Sequence, residues 1–183
     1  MLRATDPLPQ PPRRVLIAGV SGSGKSTLAD ALAAQVHIPH TDIDTLYHGP
    51  NWTRRDEFYT DVDEMIAAPA WVTEWQYRSV RPRLADRADT IVWLDFPVRL
   101  WMFRLVRRTI QRRRSREELW AGNVEAPLWH LFTGRDHIIA WALRTHHDYR
   151  TLISDLEHTH PKLQVVRLRN QRDVDRWLAQ LPR

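Results

Sequence analysis

The chain has no cysteine in 183 residues. That excludes a disulfide framework and any thiolate metal site. No apolar run approaches the roughly 20 residues that a membrane-spanning helix needs, so no membrane partner is expected. Lysine is scarce: Lys25 and Lys162 are two among 27 basic residues, and the net charge of +5 is carried almost entirely by arginine. Glycine is scarce too, with six in all, yet Gly19, Gly22 and Gly24 crowd into one short window. The amino-terminal MLRATDPLPQPPRR lacks the apolar segment of a signal peptide and is rich in proline, so residues 1–13 read as a disordered lead-in. Residues 14–183 have the length of a single domain with a full core, and the cytoplasm is the default location.

The glycine window belongs to GVSGSGKST, Gly19 to Thr27, which fits G-x-x-x-x-G-K-[ST] at every fixed position. The context fits as well. VLIA before it reads as a buried strand, and Leu28, Ala31, Leu32 and Val36 after it have helical spacing. In such a loop the backbone N–H groups of Gly19, Ser21, Gly22, Ser23, Gly24 and Thr27 surround phosphates, helped by the positive end of the following helix. Lys25 would reach the β- and γ-oxygens, and the Ser26 hydroxyl would bind Mg²⁺. The cofactors implied are ATP and Mg²⁺. One of only two lysines falls where a flexible ammonium does what a planar guanidinium does less well.

The pattern predicts strands near 14–18, 38–43, 71–75, 90–95 and 163–168. Helices are expected near 25–36, 55–67, 79–86, 97–114, 125–157 (with a break near 145–148) and 171–181. Alternating strands and helices imply an α/β fold: a three-layer α/β/α sandwich around a five-stranded parallel sheet. The stretch of about 104–150 reads as a helical, arginine-rich excursion of the kind that serves as a lid.

Three acidic positions follow predicted strands: Asp42 and Asp44 in TDIDTLYHGPNW, Glu74 in WVTEW and Asp95 in IVWLD. Phosphoryl transfer needs a carboxylate on the metal side and gains from one that orients the acceptor. Asp44 suits the acceptor role, and Trp52 in the HGPNW turn could stack on a ring. IVWLD is the best blind match to a metal-side string, although Asp95 before Pro97 could also cap a helix. NQRD, Asn170 to Asp173, mimics a guanine-reading motif. No D-x-x-G accompanies it, so a helix cap is the simpler reading, with contact to a base left to Asn170 and its turn.

These stretches together resemble the adenylate-kinase-like P-loop kinases. Within them the chain is similar to small bacterial topology-modulation (FlaR-type) proteins, also described loosely as AAA-family ATPases. The resemblance runs from about Val15 to Leu181 and is carried by GVSGSGKST, DTLYHGPNW, ADTIVWLDFP and RLRNQRDVDRWL. It implies that EWQYR replaces the family's D-G-F-P-R, with Glu74 on the metal side and Arg78 gripping substrate phosphate. It implies further that Arg104 and Arg108, four apart on one helix, contact the transferring phosphates, and that Arg135 and Arg144 return from the lid. The T-G-D-x-[LI]-R acceptor motif of adenylate kinases is missing. The acceptor is therefore either a hydroxyl, with Asp44 as its base, or a monophosphate held by Arg54, Arg55 or Arg78.

The resulting expectation is phosphotransfer from ATP to a small acceptor, a nucleoside or nucleotide before other metabolites. Phe103 to Arg116, dense in arginine, keeps a second reading open: a nucleic-acid-associated ATPase whose basic segment binds phosphate backbone, or a kinase that modifies a macromolecule. The nine histidines offer no ligand set. Most of the nine tryptophans read as core, with Trp52 and Trp120 as the two candidate platforms.

Overall fold

Short β-branched runs build the sheet. The structure, a computed structural model, describes residues 1–115, 118–124 and 138–182, with side chains in the last segment from 148 onward. The strands β1 (Arg14–Ala18), β2 (Trp71–Glu74), β3 (Thr90–Leu94) and β4 (Gln164–Leu168) pair in the order β2-β1-β3-β4, all parallel. Nearly every strand residue is buried, as the continuous apolar runs require of a parallel sheet.

The helices are α1 (Lys25–Val36), α2 (Ile43–Tyr47), α3 (Phe58–Ala67), α4 (Arg81–Arg87), α5 (Val98–Ser115), α6 (Ile138–Thr159) and α7 (Gln171–Ala179). The β1-to-β2 crossover through α1 steps one way across the sheet, and the β2-to-β3 crossover through α4 steps back over β1. Right-handed crossovers then put α1 and α4 on opposite faces. Trp71, Trp101 and Trp177 are among the largest fully buried side chains. Each anchors a different element, β2, α5 and α7, at about 3 kcal/mol or more of truncation cost.

Two expectations change. The sheet has four strands, not five. The segment near 38–43 makes a single parallel bridge, His40 to Val72, with Val72 N–H donating to Pro39 O (2.8 Å) and Thr41 N–H to Val72 O (3.0 Å). Pro39 has no N–H for a ladder, and Asp42 then caps α2 by accepting from Asp44 N–H (2.9 Å), which turns the chain into a helix. Helix α6 runs through 145–148 without a break, whereas 125–137 lie outside the described residues. Of residues 1–13, Leu2 bridges Val166 of β4, and Ala4 is buried.

Candidate active site

The loop after β1 leaves from an interior strand, between the carboxyl ends of β2 and β3, which is where parallel sheets bind ligands. Two glycines are compelled. Gly22 has φ 82°, and a Cβ there would stand 2.5 Å from Trp101 O on α5. Gly24 has φ 96° and is the N-cap of α1. The loop therefore nests against α5, and a side chain would push the two apart. Ser23 is fully buried, and its Oγ has no hydrogen-bond partner. Ser21 is half-buried, while Ser26 and Thr27 open to solvent on the first turn of α1.

Lys25 is buried at 9% exposure, with Nζ 3.4 Å from Val20 O. Burial pushes its ammonium down to about 8; Arg108 and Arg81 push the same way, and Asp44 and Glu74 oppose. That roster locates the site. Two carboxylates and two guanidinium groups from α2, β2, α4 and α5 lie close enough to bear on one lysine.

Glu74 is fully buried, and Ile17 pairs with it in the sheet. One oxygen, Oε2, accepts from Ile43 N–H at 3.3 Å, and Oε1 stands 3.6 Å from His40 Nε2 without a hydrogen-bond partner. Burial alone would raise this carboxyl, but His40, the Ser26 hydroxyl beside it and the Ile43 amide together hold it below its ordinary value. His40 is correspondingly raised: burial works against its charge, and Glu74 and Asp30 outweigh it. An ionised carboxylate with an orphaned oxygen beside a serine hydroxyl is a hard-oxygen donor pair that fits Mg²⁺. Among the described residues no cluster of three or more His, Asp or Glu could hold an ion, so phosphates would have to complete its shell.

Asp95 is spent elsewhere. Its Oδ2 accepts from both Nε (2.9 Å) and a terminal nitrogen of Arg167, and Arg150 lies 3.9 Å from Oδ1. Strands β2 and β3 both flank β1, so adjacency does not choose between Glu74 and Asp95; each has one buried oxygen without a hydrogen bond, but Asp95 faces two guanidinium groups where Glu74 faces His40 and the Ser26 hydroxyl.

Asp44 sits on α2 with Oδ1 accepting from Tyr77 Oη (2.5 Å) and Gln76 Nε2 (3.2 Å). Tyr77 is held at φ 56°, a left-handed backbone that is costly for a tyrosine, and its ring stacks on Tyr47 at 3.9 Å. Burial first, and then the Asp44 charge, raise the Tyr77 phenol, so it stays a proton donor to Asp44. Asp42 is raised mainly by burial and takes a hydrogen bond from Trp120 Nε1 at 2.9 Å.

Trp52 and Trp120 meet each other edge-on at 6.2 Å, and Trp120 stacks on His48 at 5.3 Å. Trp52 is 41% exposed. Two turns are clasped here. Asn123, buried, donates to Gly49 O (2.9 Å) and Trp120 O (2.7 Å) and accepts from Trp52 N–H (3.0 Å). This ties the segment beyond α5 to the 48–54 turn. The sequence offered no role for Asn123, because the partners it clasps, Gly49 and Trp52, lie some seventy positions away.

On the other side of the loop a cavity of about 470 Å³ is lined by Gly22, Gly24, Thr27, Phe96, Arg104, Arg108, Gln171 and Asp175, among others. Arg104 reaches Ser23 O and Gln171 Oε1, each at 3.5 Å, and lies over the Phe96 ring. Arg104 and Arg108 thus line one cavity, as their spacing on one helix face predicts. Asn170 takes Asp173 N–H at 3.0 Å and caps α7, and the side chains from this turn that line the cavity are Gln171 and Asp175. Arg135 lies outside the described residues, and of Arg144 only the helical backbone is described.

Arg78 is exposed and lines a different cavity, between α4 and α6. Arg55 is paired with Asp61 at 2.9 Å, and Arg54 lies over Tyr59. The guanidinium that reaches toward Lys25 from this segment is Arg81, three positions beyond Arg78. It is held between the Trp75 and Tyr149 rings (5.1 and 5.2 Å), with a bond to Tyr149 Oη at 3.1 Å. The sequence signal was there in SVRPR.

No protein-family model matches the chain, and no curated protein matches it. Solved structures do. The chain is similar to a gluconokinase from Sinorhizobium meliloti 1021, at 20% identity and a TM-score of 0.52, over 92% of this chain and 91% of that one. It is similar to shikimate kinase from Bacteroides thetaiotaomicron, at 13% identity and a TM-score of 0.53, over 92% and 96%. Shikimate kinase from Acinetobacter baumannii, solved in complex with shikimate, aligns at 16% identity and a TM-score of 0.52, over 92% and 89%. The chain has the fold of the small P-loop kinases. Within that fold, Lys25, Glu74 and the glycine-rich loop lie at the carboxyl ends of the strands, and Asp44 on α2 bears on Lys25.

Proposed function

We propose that this protein is an ATP-dependent kinase that moves the γ-phosphoryl group to a hydroxyl of a small acceptor, a nucleoside being the first class to test. The observation that carries the reading is the pairing of Asp44 with Lys25. A carboxylate oriented by Tyr77 and Gln76 lies within electrostatic reach of the lysine of a phosphate loop. A hydrolase needs no such arrangement on the acceptor side.

The chemistry follows. Lys25, Arg81 and Arg108 supply positive charge where the phosphates gather. Ser26 and Glu74 would hold Mg²⁺, which when bound neutralises phosphate charge. Asp44 Oδ1 is engaged by Tyr77 and Gln76, which leaves Oδ2 to take the acceptor's proton. The acceptor oxygen forms a bond to the γ-phosphorus as the bond from that phosphorus to the bridging oxygen breaks, and ADP leaves. The Asn123 clasp draws the post-α5 segment over the acceptor side and excludes water, which favours transfer over hydrolysis.

A hydroxyl acceptor is preferred to a monophosphate for a specific reason. Of the arginines considered for an acceptor phosphate, Arg54 and Arg55 are engaged and Arg78 points into another cavity, while Asp42 and Asp44 make the acceptor side acidic. The neighbours' substrates support a small polar acceptor only by analogy of fold. The test is ADP release from Mg·ATP against nucleosides, nucleoside monophosphates and small polyols, with DNA and RNA in parallel and Lys25→Ala as blank. Stimulation by one small hydroxylated compound is expected. Stimulation by nucleic acid alone would overturn the proposal and return the arginines of α5 to a backbone-binding role.

A further inference from the structure

A second cavity, of about 580 Å³, opens between the amino-terminal residues, β4 and α7. Arg3, Arg167, Arg169 and Arg176 line it, with Asp173 as its one carboxylate. Its floor is held by backbone pairing. Leu2 N–H donates to Val165 O at 2.7 Å and Arg167 N–H to Leu2 O at 2.9 Å, with Leu2 opposite Val166. Alternation of side chains then sets Arg3 beside Arg167 on one face, with Arg169 two residues further along.

Like charges placed side by side in adjacent strands are destabilising. Here the compensation is partial. Arg167 has Asp95. Asp173 is committed to the α7 cap, its Oδ2 taking Arg169 N–H at 2.9 Å. No carboxylate pairs with Arg3, Arg169 or Arg176 among the described residues. Guanidinium groups that line a cavity whose carboxylate is already committed to a helix cap match the oxygens of phosphate, which they bind through two-pronged bonds. A volume of this size suits one small molecule.

We propose that this cavity binds a small molecule carrying two or more phosphate charges, at a site separate from the phosphate loop. The two sites share α7. Gln171, Val174, Asp175 and Leu178 line the nucleotide cavity, whereas Asp173 and Arg176 line this one. Occupancy here therefore bears on the helix that walls the nucleotide.

The probe is inorganic pyrophosphate, titrated calorimetrically into the metal-free Lys25→Ala protein, whose phosphate loop lacks its lysine, with the parent alongside. Binding with a Kd below about 1 mM is expected. The R169E/R176E variant should weaken it by at least about tenfold while its ADP affinity stays within about twofold. Retained ADP binding also certifies the fold, and R169Q/R176Q serves if the double reversal does not fold. The proposal is overturned if pyrophosphate gives no heat with the Lys25→Ala protein. It is overturned equally if the folded variant binds pyrophosphate as the parent does, or if a 20-nucleotide single strand binds through these arginines and pyrophosphate does not.

Discussion

Lys25 gives the protein a built-in pH dependence of nucleotide affinity. In the free protein its ammonium loses its proton near pH 8, because burial and two neighbouring guanidinium groups outweigh Asp44 and Glu74. A bound β-phosphate supplies the missing countercharge, so the complex keeps the proton. ADP without metal should therefore bind the charged form, and its affinity should fall as pH rises through 8. Half of the lysine is charged at pH 8 and about 3% at pH 9.5, which predicts a loss of about fifteenfold between them, or about 1.6 kcal/mol. ADP itself does not titrate over that range. Calorimetry in two buffers of different ionisation enthalpy should show uptake of about half a proton per ADP at pH 8, rising toward one at pH 9.5. Lys25→Met should bind weakly and without slope. The same shift acts on folding with a definite sign. The unfolded lysine titrates near 10.5 and the folded one near 8, so the unfolded state holds more protons between these values. Stability of the ligand-free protein should rise across that window by an amount on the order of 3 kcal/mol relative to Lys25→Met. Flat ADP affinity from pH 8 to 9.5 with no proton uptake would refute this account of Lys25.

Three other substitutions probe separate joints of the site. Arg81→Leu removes one of the charges that lower Lys25, so the midpoint of the ADP pH profile should move above 8 and turnover should fall by about tenfold or more; an unmoved midpoint places Arg81 outside the site. Gly22→Ala puts a Cβ against Trp101 O at a left-handed position and should cost about 2 kcal/mol or more, read by thermal unfolding, with weakened nucleotide binding. Asn123→Ala leaves the Gly49 carbonyl and Trp52 amide unpaired. It should raise the acceptor KM by about tenfold while the KM for ATP holds, because the clasp touches the 48–54 turn and not the phosphate loop.

The phosphate loop was legible because its information is local. Three glycines, a lysine and a serine dictate a backbone that needs little from the rest of the chain. Arg104 and Arg108 were legible for a similar reason, since helical spacing alone puts them on one face. What was hidden depends on distance or on rotation. The segment near 38–43 has the composition of a strand, but Pro39 and the Asp42 cap limit it to one bridge. Asp95 looks like a metal-side carboxylate until Arg167, seventy-two positions on, is found against it. Arg81, not Arg78, bears on Lys25, and which arginine of RSVR does so depends on the local backbone, where Tyr77 is left-handed. Asn123 could not be placed at all from its neighbours in sequence.

The central claim is that the γ-phosphoryl group ends on an acceptor hydroxyl and that Asp44 makes this possible. The most direct measurement follows the label from γ-labelled ATP, in the presence of the stimulating acceptor, into acceptor or inorganic phosphate, for the parent protein and Asp44→Asn. The account predicts label on the acceptor for the parent. For Asp44→Asn it predicts at least about a hundredfold slower transfer with ADP affinity retained. Label found only in inorganic phosphate, or equal transfer by both proteins, would contradict it.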